Sequence, residues 1–217
     1  MKNYIEIKKT INAILYEDAI DFMENRVRQI HELTKKEMLW FLNHSNIYTC
    51  GASAQSDEFL SKIDIPVIKT SRGGKTTYHG PGQRVVYFML NLTKRKRDIR
   101  KFITLIENSV IILLKDLNIE AKNFPERVGI WVTKSNGVTL NKEKKIAAIG
   151  LRIKKWVTYH GMSFNIDPDL SYYQKINACG LTDYENTSLE QLNIKLTNEE
   201  FDKKFEKIFK NQLMNFN

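Results

Sequence analysis

The stretch Arg72-Gly73-Gly74-Lys75-Thr76-Thr77-Tyr78-His79-Gly80-Pro81-Gly82-Gln83 constrains this chain more than any other. Four glycines and a proline fall within twelve residues. Glycine permits positive φ and close backbone approach, so the stretch reads as a shaped turn pressed against something. Glycines alone would suit an ordinary hairpin loop. Arg72, Tyr78 and His79 are costly in a plain turn and point to a loop that walls a pocket and presents polar groups to a ligand. The common phosphate loops do not fit: Gly-x-Gly-x-x-Gly is absent, and a Walker spacing before Gly74-Lys75-Thr76 fails because position 69 is Lys.

On either side of this turn the hydrophobic pattern predicts a mixed α/β domain over residues 1–217, its sheet single, largely antiparallel and backed by helices. Residues 12–33 read as a helix, with Leu15, Ala19, Phe22, Met23, Val27 and Ile30 on one face. A second runs from the N-cap Asp98 to Leu117, with Ile99, Phe102, Ile106, Val110, Leu113 and Leu117 in helical spacing. Strands are expected over 4–8, 37–42, 66–70, 84–92, 128–133, 138–140, 145–153 and 156–166, with a turn at Ser135-Asn136-Gly137 and a charged turn over 141–144. Residues 44–54 and 168–176 read as loops. Thr187-Ser188-Leu189-Glu190 and Thr197-Asn198-Glu199-Glu200 are capping boxes, each opening a helix.

Several function classes are disfavoured by composition. Two cysteines, Cys50 and Cys179, are too few for a disulfide framework or a structural zinc site. The four histidines lack metal-ligand spacing, so no metal site is expected. The longest apolar run, residues 110–114, is a helix face, and the first residues lack a signal-peptide hydrophobic region; a cytoplasmic protein without membrane contact is expected. A net charge of +9 suits an acidic protein partner or a nucleic acid, with basic clusters at 94–97, 100–101, 142–145 and 154–155. No nucleic-acid motif accompanies the charge, and such a reading leaves the glycine turn unexplained.

The glycine stretch resembles the signature of the lipoyl(octanoyl) transferases, which share a fold with biotin and lipoate protein ligases. Two further segments match in order: Lys145-Ile146-Ala147-Ala148-Ile149-Gly150-Leu151-Arg152, and His160-Gly161-Met162-Ser163-Phe164-Asn165 followed by Asn177-Ala178-Cys179-Gly180. The resemblance covers roughly residues 43–189. It implies the biotin/lipoate protein ligase fold and a transfer of an octanoyl group from acyl carrier protein to a lysine of a lipoyl domain, the first step of protein lipoylation. The acceptors it implies are the lipoyl domains of 2-oxoacid dehydrogenases and the glycine-cleavage carrier protein. No cofactor of the enzyme's own is implied, since the acyl group arrives on the carrier's phosphopantetheine. The expected state is a monomer.

As an arbitrary cysteine, Cys179 would be a small buried hydrophobe. The resemblance makes it the nucleophile that carries the acyl group as a thioester. A thiolate attacks a thioester readily and remains a good leaving group toward an amine, so no ATP is needed. A free thiol is mostly protonated at neutral pH and needs an activating partner. From the residues alone Lys144 and Lys145 both stand open; strand alternation sends them to opposite faces, and the motif register gives Lys145. The substrate-binding segments the resemblance implies are Arg72, Gly73, Gly74, Lys75, Thr76, Thr77, Tyr78 and His79; Ala148, Ile149 and Gly150; and Gly161, Met162 and Ser163. Their small residues would let backbone approach the acyl thioester, and their N–H groups would offer an oxyanion site. His79 is expected to support the ligand loop, and Cys50 to have no catalytic role. An ATP-dependent lipoate or biotin ligase on the same fold is the rival reading; it would need no cysteine, and Cys179 in register with Lys145 argues against it.

Overall fold

A computed structural model describes residues 5–177 and 184–216 of the chain. Ala178, Cys179 and Gly180 of the cysteine motif lie outside the described residues. The main sheet joins β1 (Glu6–Lys9), β2 (Met38–Leu42), β6 (Gln83–Met89), β10 (Val157–Asn165), β9 (Val138–Lys154), β8 (Arg127–Ser135) and β7 (Ile119–Phe124) in that spatial order. A two-residue strand, β11 (Glu185–Asn186), pairs with β9 where β10 has ended. Among the described residues of this sheet, only β1–β2 and β11–β9 are parallel pairs; the others are antiparallel.

Both faces of this sheet are covered, and the sequences of the central strands show why. In β2, Leu39 and Phe41 belong to one core while Met38, Trp40 and Leu42 belong to the other. In β6, Val86 and Phe88 face the first core and Val85, Tyr87 and Met89 the second. A strand apolar on both sides has no solvent face to give it alternation, so it reads as a continuous run. Helices α2 (Ile99–Lys115) and α4 (Asn198–Met214) pack over the first face through Phe102, Ile106, Phe201, Phe205 and Phe209. Helix α1 (Tyr16–His31) covers the second through Ala19, Met23, Val27 and Ile30. Arg84 on β6 forks onto Asp202 of α4 at 2.9 and 2.7 Å, both side chains buried, which fixes α4 against the sheet.

The helix signals hold in detail. Asp98 accepts the Lys101 N–H as N-cap of α2, and Thr197 with Glu200 forms both bonds of the capping box on α4. Leu15 is an exception: it is the N-cap of α1 and is 60% exposed, outside the stripe that extends from Ala19. The other box, at residues 187–190, makes only a turn. Ser188 caps it by accepting the Gln191 N–H, and Asn193 at φ 58° ends it before a second turn can form.

Four further segments differ from the sequence expectation. Residues 141–144 do not turn; β9 runs unbroken from Val138 to Lys154, because Lys144 pairs with Val132 on one side and Glu185 on the other. The reversal is the expected Asn136-Gly137, at φ 48° and 81°. Residues 168–176 contain one helical turn, α3 (Ser171–Gln174). The segments read as loops at 44–54 and in the glycine stretch contain β3 (Ile47–Cys50) and β5 (Thr76–His79). With β4 (Val67–Lys69) they make a second, three-stranded sheet. Thr76-Thr77-Tyr78-His79 are strand formers, but the glycines on either side hide so short a strand.

Candidate active site

A cleft of about 210 Å³ opens between the main sheet and the glycine stretch. Its floor is a patch of small side chains. Gly161 and Ser163 on β10 lie opposite Gly150 and Ala148 on β9, and Val85 and Tyr87 on β6 continue the same face. Its roof is residues 72–75. Arg72, itself buried, bonds the Thr49 carbonyl and hydroxyl and the Gly73 carbonyl, so its guanidinium ties the roof to β3. The Gly73 N–H reaches down to the Leu151 carbonyl at 3.1 Å. A Cβ on Gly150 would stand 2.8 Å from the Gly73 carbonyl, so roof and floor approach as closely as they do only because position 150 is glycine.

Lys145 enters this cleft through a bulge. Ile130 pairs with Ala147 and Trp131 with Lys145, so β8 advances one residue while β9 advances two. Ile146 is the extra residue and points into the core. With strict alternation Lys145 would share the face of Ala147, Ile149 and Leu151, all packed in or against the core; the bulge turns it to the face of Ala148 and Gly150. Its ammonium lies 5.2 Å from the centre of the Trp131 ring. Lys144 points the other way and pairs with Glu185 at 2.7 Å.

Of the residues singled out from sequence, Arg72, Gly73, Gly74, Lys75, Thr77, His79, Lys145, Ala148, Ile149, Gly150, Gly161, Met162 and Ser163 all border this one cleft, although the Met162 side chain belongs to the first core and Ile149 packs against it. Thr76 and Tyr78 are sent to the opposite side of β5 by alternation: the Thr76 hydroxyl meets Cys50, and Tyr78 donates to Asn46 and stacks on Tyr172. The backbone donors expected to form an oxyanion site are partly taken, Gly73 N–H by Leu151 and Thr76 N–H by Glu58. Glu58 also pairs with Lys75 at 3.7 Å and accepts the Asn177 N–H on its carbonyl.

The cleft deepens toward residues the sequence did not single out. Tyr16, Tyr87 and His160 are buried at its closed end, with His44 behind them. The Ile14 carbonyl can only accept, so His44 Nδ1 carries the hydrogen and Nε2 accepts the Tyr87 hydroxyl at 2.7 Å. His79 Nδ1 donates to Gln83 Oε1 at 2.7 Å, while the Gln83 amide reaches Asn165 and Tyr173. Asn165 in turn donates to the Thr187 carbonyl, and the Thr187 N–H bonds the Lys145 carbonyl at 2.8 Å. No periodic signal exists for Tyr16 or Tyr87, which lie on helix and strand surfaces that read as core. His160 stood in a recognised segment without an assigned role. At the mouth, Arg127 stacks against Phe124, Trp131 and Tyr184 and pairs with Glu143 at 3.5 Å. Among the described residues no group of His, Cys, Asp or Glu side chains is placed to hold a metal ion, and no helix is long and apolar enough to cross a membrane.

Burial holds the buried imidazoles neutral: His44 is lowered to about 4, His160 to about 3, and His79 well below the usual value. A histidine lowered in the folded state leaves the unfolded chain binding more protons as pH falls below 6.5, so folding stability is full above that value and is lost toward the folded values. His44 alone accounts for about 3 kcal/mol between 6.5 and about 4. Urea midpoints measured through that window should fall steadily with acid; a flat midpoint would show that these rings are not held neutral.

Comparison with known proteins places this geometry. Residues 15–210 match the family described as the lipoyl protein ligase A/B catalytic domain. An octanoyltransferase of Wolbachia pipientis wMel is 47% identical over 199 residues, covering 89% of this chain and 94% of its own length. One from Ehrlichia chaffeensis is 45% identical over 212 residues, covering 95% and 97%. Among solved structures, a bi-partite lipoate protein ligase from Thermoplasma acidophilum superposes with a TM-score of 0.69 at 14% identity, covering 97% of this chain and 85% of that one. A biotin protein ligase from Aquifex aeolicus reaches 0.56 at 12% identity, covering 97% and 70%. At those identities the structural likeness is one of fold.

Proposed function

This chain belongs to the lipoyl protein ligase A/B catalytic-domain family, and on that premise we propose a two-step octanoyl transfer through Cys179. It is an acyltransferase of protein lipoylation. In the first step the Cys179 thiolate attacks the carbonyl of an octanoyl thioester carried on the phosphopantetheine of acyl carrier protein. The carbon–sulfur bond to the carrier breaks, and the departing thiolate takes a proton from the Lys145 ammonium. In the second step the amine of a lipoyl-domain lysine attacks the acyl-enzyme, Lys145 accepts its proton, and the Cys179 thiolate leaves.

The observation that carries this reading is the placement of Lys145. The β9 bulge delivers one lysine, and not its neighbour, to the cleft lined by the glycine stretch, and Asn186, which follows the cysteine motif, pairs with that lysine in β11. Val85, Ala148 and the ring of Tyr87 give the cleft apolar wall for an acyl chain. A thioester already holds the free energy that an ATP-dependent ligase draws from adenylation. No nucleotide, metal or further cofactor enters the proposed scheme.

The test is transfer itself. Octanoyl-carrier protein and a lipoyl domain, mixed with this protein and no nucleotide, should give a domain modified on one lysine. A strict requirement for ATP would overturn the reading. The basic surface predicts a further result. Transfer from the acidic carrier should weaken as salt rises, since exposed charges are screened beyond about 10 Å at 0.1 M, while transfer from a small octanoyl thioester should change little. Equal sensitivity of the two donors would remove docking as the role of the charge. Arg95 is not part of that surface: it forks onto the buried Glu37 at 2.6 and 2.7 Å.

A further inference from the structure

Glu107 is a buried carboxylate that the two steps above do not use. It lies on α2. Its Oε1 accepts the Gly129 N–H at 3.3 Å, and its Oε2 accepts the Asn123 side-chain amide at 2.7 Å. Both partners are N–H donors, which suits an ionised carboxylate and offers nothing to a carboxylic O–H. Burial pushes this carboxyl up, and Asn123, Gly129 and the Lys145 ammonium all act against that push.

Gly129 is where Glu107 meets the cleft. Its φ is 130°, a backbone conformation that other residues rarely adopt. A Cβ there would stand 2.6 Å from Lys145 Cε and 3.2 Å from Nζ. The end of the Lys145 side chain therefore lies directly over the Gly129 backbone, whose N–H is held by Glu107.

We propose that Glu107 is a positioning residue for Lys145: its charge favours the ammonium, and its bond to Gly129 keeps the slot in which the amine lies. This rests on reading Lys145 as the group that handles the proton of the transfer. Other charges around the cleft are committed elsewhere. Arg72 is held by Thr49, Lys75 faces Glu58, and Arg127 is stacked on its aromatic rings beside Glu143. The Glu126 side chain is 69% exposed, and His79 and His160 are neutral. Glu107 is thus a fixed, buried negative charge beside the slot. Without it the ammonium that protonates the departing thiolate lacks that counter-charge.

Single-turnover acylation from a small octanoyl thioester, followed by intact mass across a pH series, tests this. Glu107→Gln keeps the shape and an acceptor for Gly129 but removes the charge. Its alkaline limb should move to lower pH by about one unit, since an opposite charge nearby is worth about one to three units, and acylation above the limb should drop about tenfold. The apparent KM for the thioester should stay unchanged. Glu107→Asp keeps the charge and should leave the limb close to its wild-type place even if the rate suffers. An unmoved limb in Glu107→Gln, or equal displacement in both variants, would reduce Glu107 to a structural residue. Lys145→Met, run beside them, separates the two levels: if it acylates normally, the reading of Lys145 fails; if it is inactive while the Glu107→Gln limb is unmoved, only the present inference fails.

Discussion

Lys145→Met is expected to remove nearly all transfer, by about 10²- to 10⁴-fold, the range typical of a positioned proton-transfer group. Methionine has a similar length and is at home beside Trp131, so the fold should be kept. Lys144→Met should leave the rate near that of the unmodified protein. Lys144 is partly exposed and its pair with Glu185 is a surface ion pair, of the kind worth about 0–1 kcal/mol. The two lysines are adjacent in sequence, so the contrast depends on local geometry. The bulge at Ile146 sets the phase of β9 and gives position 145 to the cleft. Rates of octanoyl transfer for the two variants, with unfolding midpoints as control, decide the matter. An inactive Lys144→Met beside an active Lys145→Met would show that the register is wrong.

Much of the scaffold was legible because its signals are local. The stripes of α1 and α2, the caps Asp98 and Thr197, and the Asn136-Gly137 turn each depend on residues a few positions apart. The cleft was legible in part for another reason: glycines at 73, 150 and 161 are needed for close approach of one backbone to another, and that need leaves a mark in the sequence. What stayed hidden depends on partners far along the chain. The strand Thr76–His79 exists because β3 pairs with it, and nothing within the glycine stretch announces that partner. β9 continues through 141–144 because β8 and β11 satisfy its backbone on both sides. Alternation alone separated Lys144 from Lys145 correctly, yet it could not show which of them faces the cleft, because the Ile146 bulge is a property of the β8–β9 pair. Tyr16, Tyr87 and Glu107 read as ordinary members of helix and strand; their position at the cleft or beneath it follows from the packing of α1 and α2 on the sheet.

In the proposed scheme the acyl group stops on Cys179 between donor and acceptor. In that scheme two protein substrates would visit one cleft in turn, and a covalent acyl-enzyme would let them do so without meeting. Intact mass of the purified protein after incubation with octanoyl-carrier protein, without nucleotide or acceptor, tests this most directly. The expected result is a gain of one octanoyl group, removed by hydroxylamine as thioesters are, absent in Cys179→Ser and retained in Cys50→Ser. Cys179→Ser should also lose turnover, since a serine hydroxyl is a much weaker nucleophile and its ester a slow donor. A label that forms only with ATP, or that resides on Cys50, would overturn transfer through Cys179.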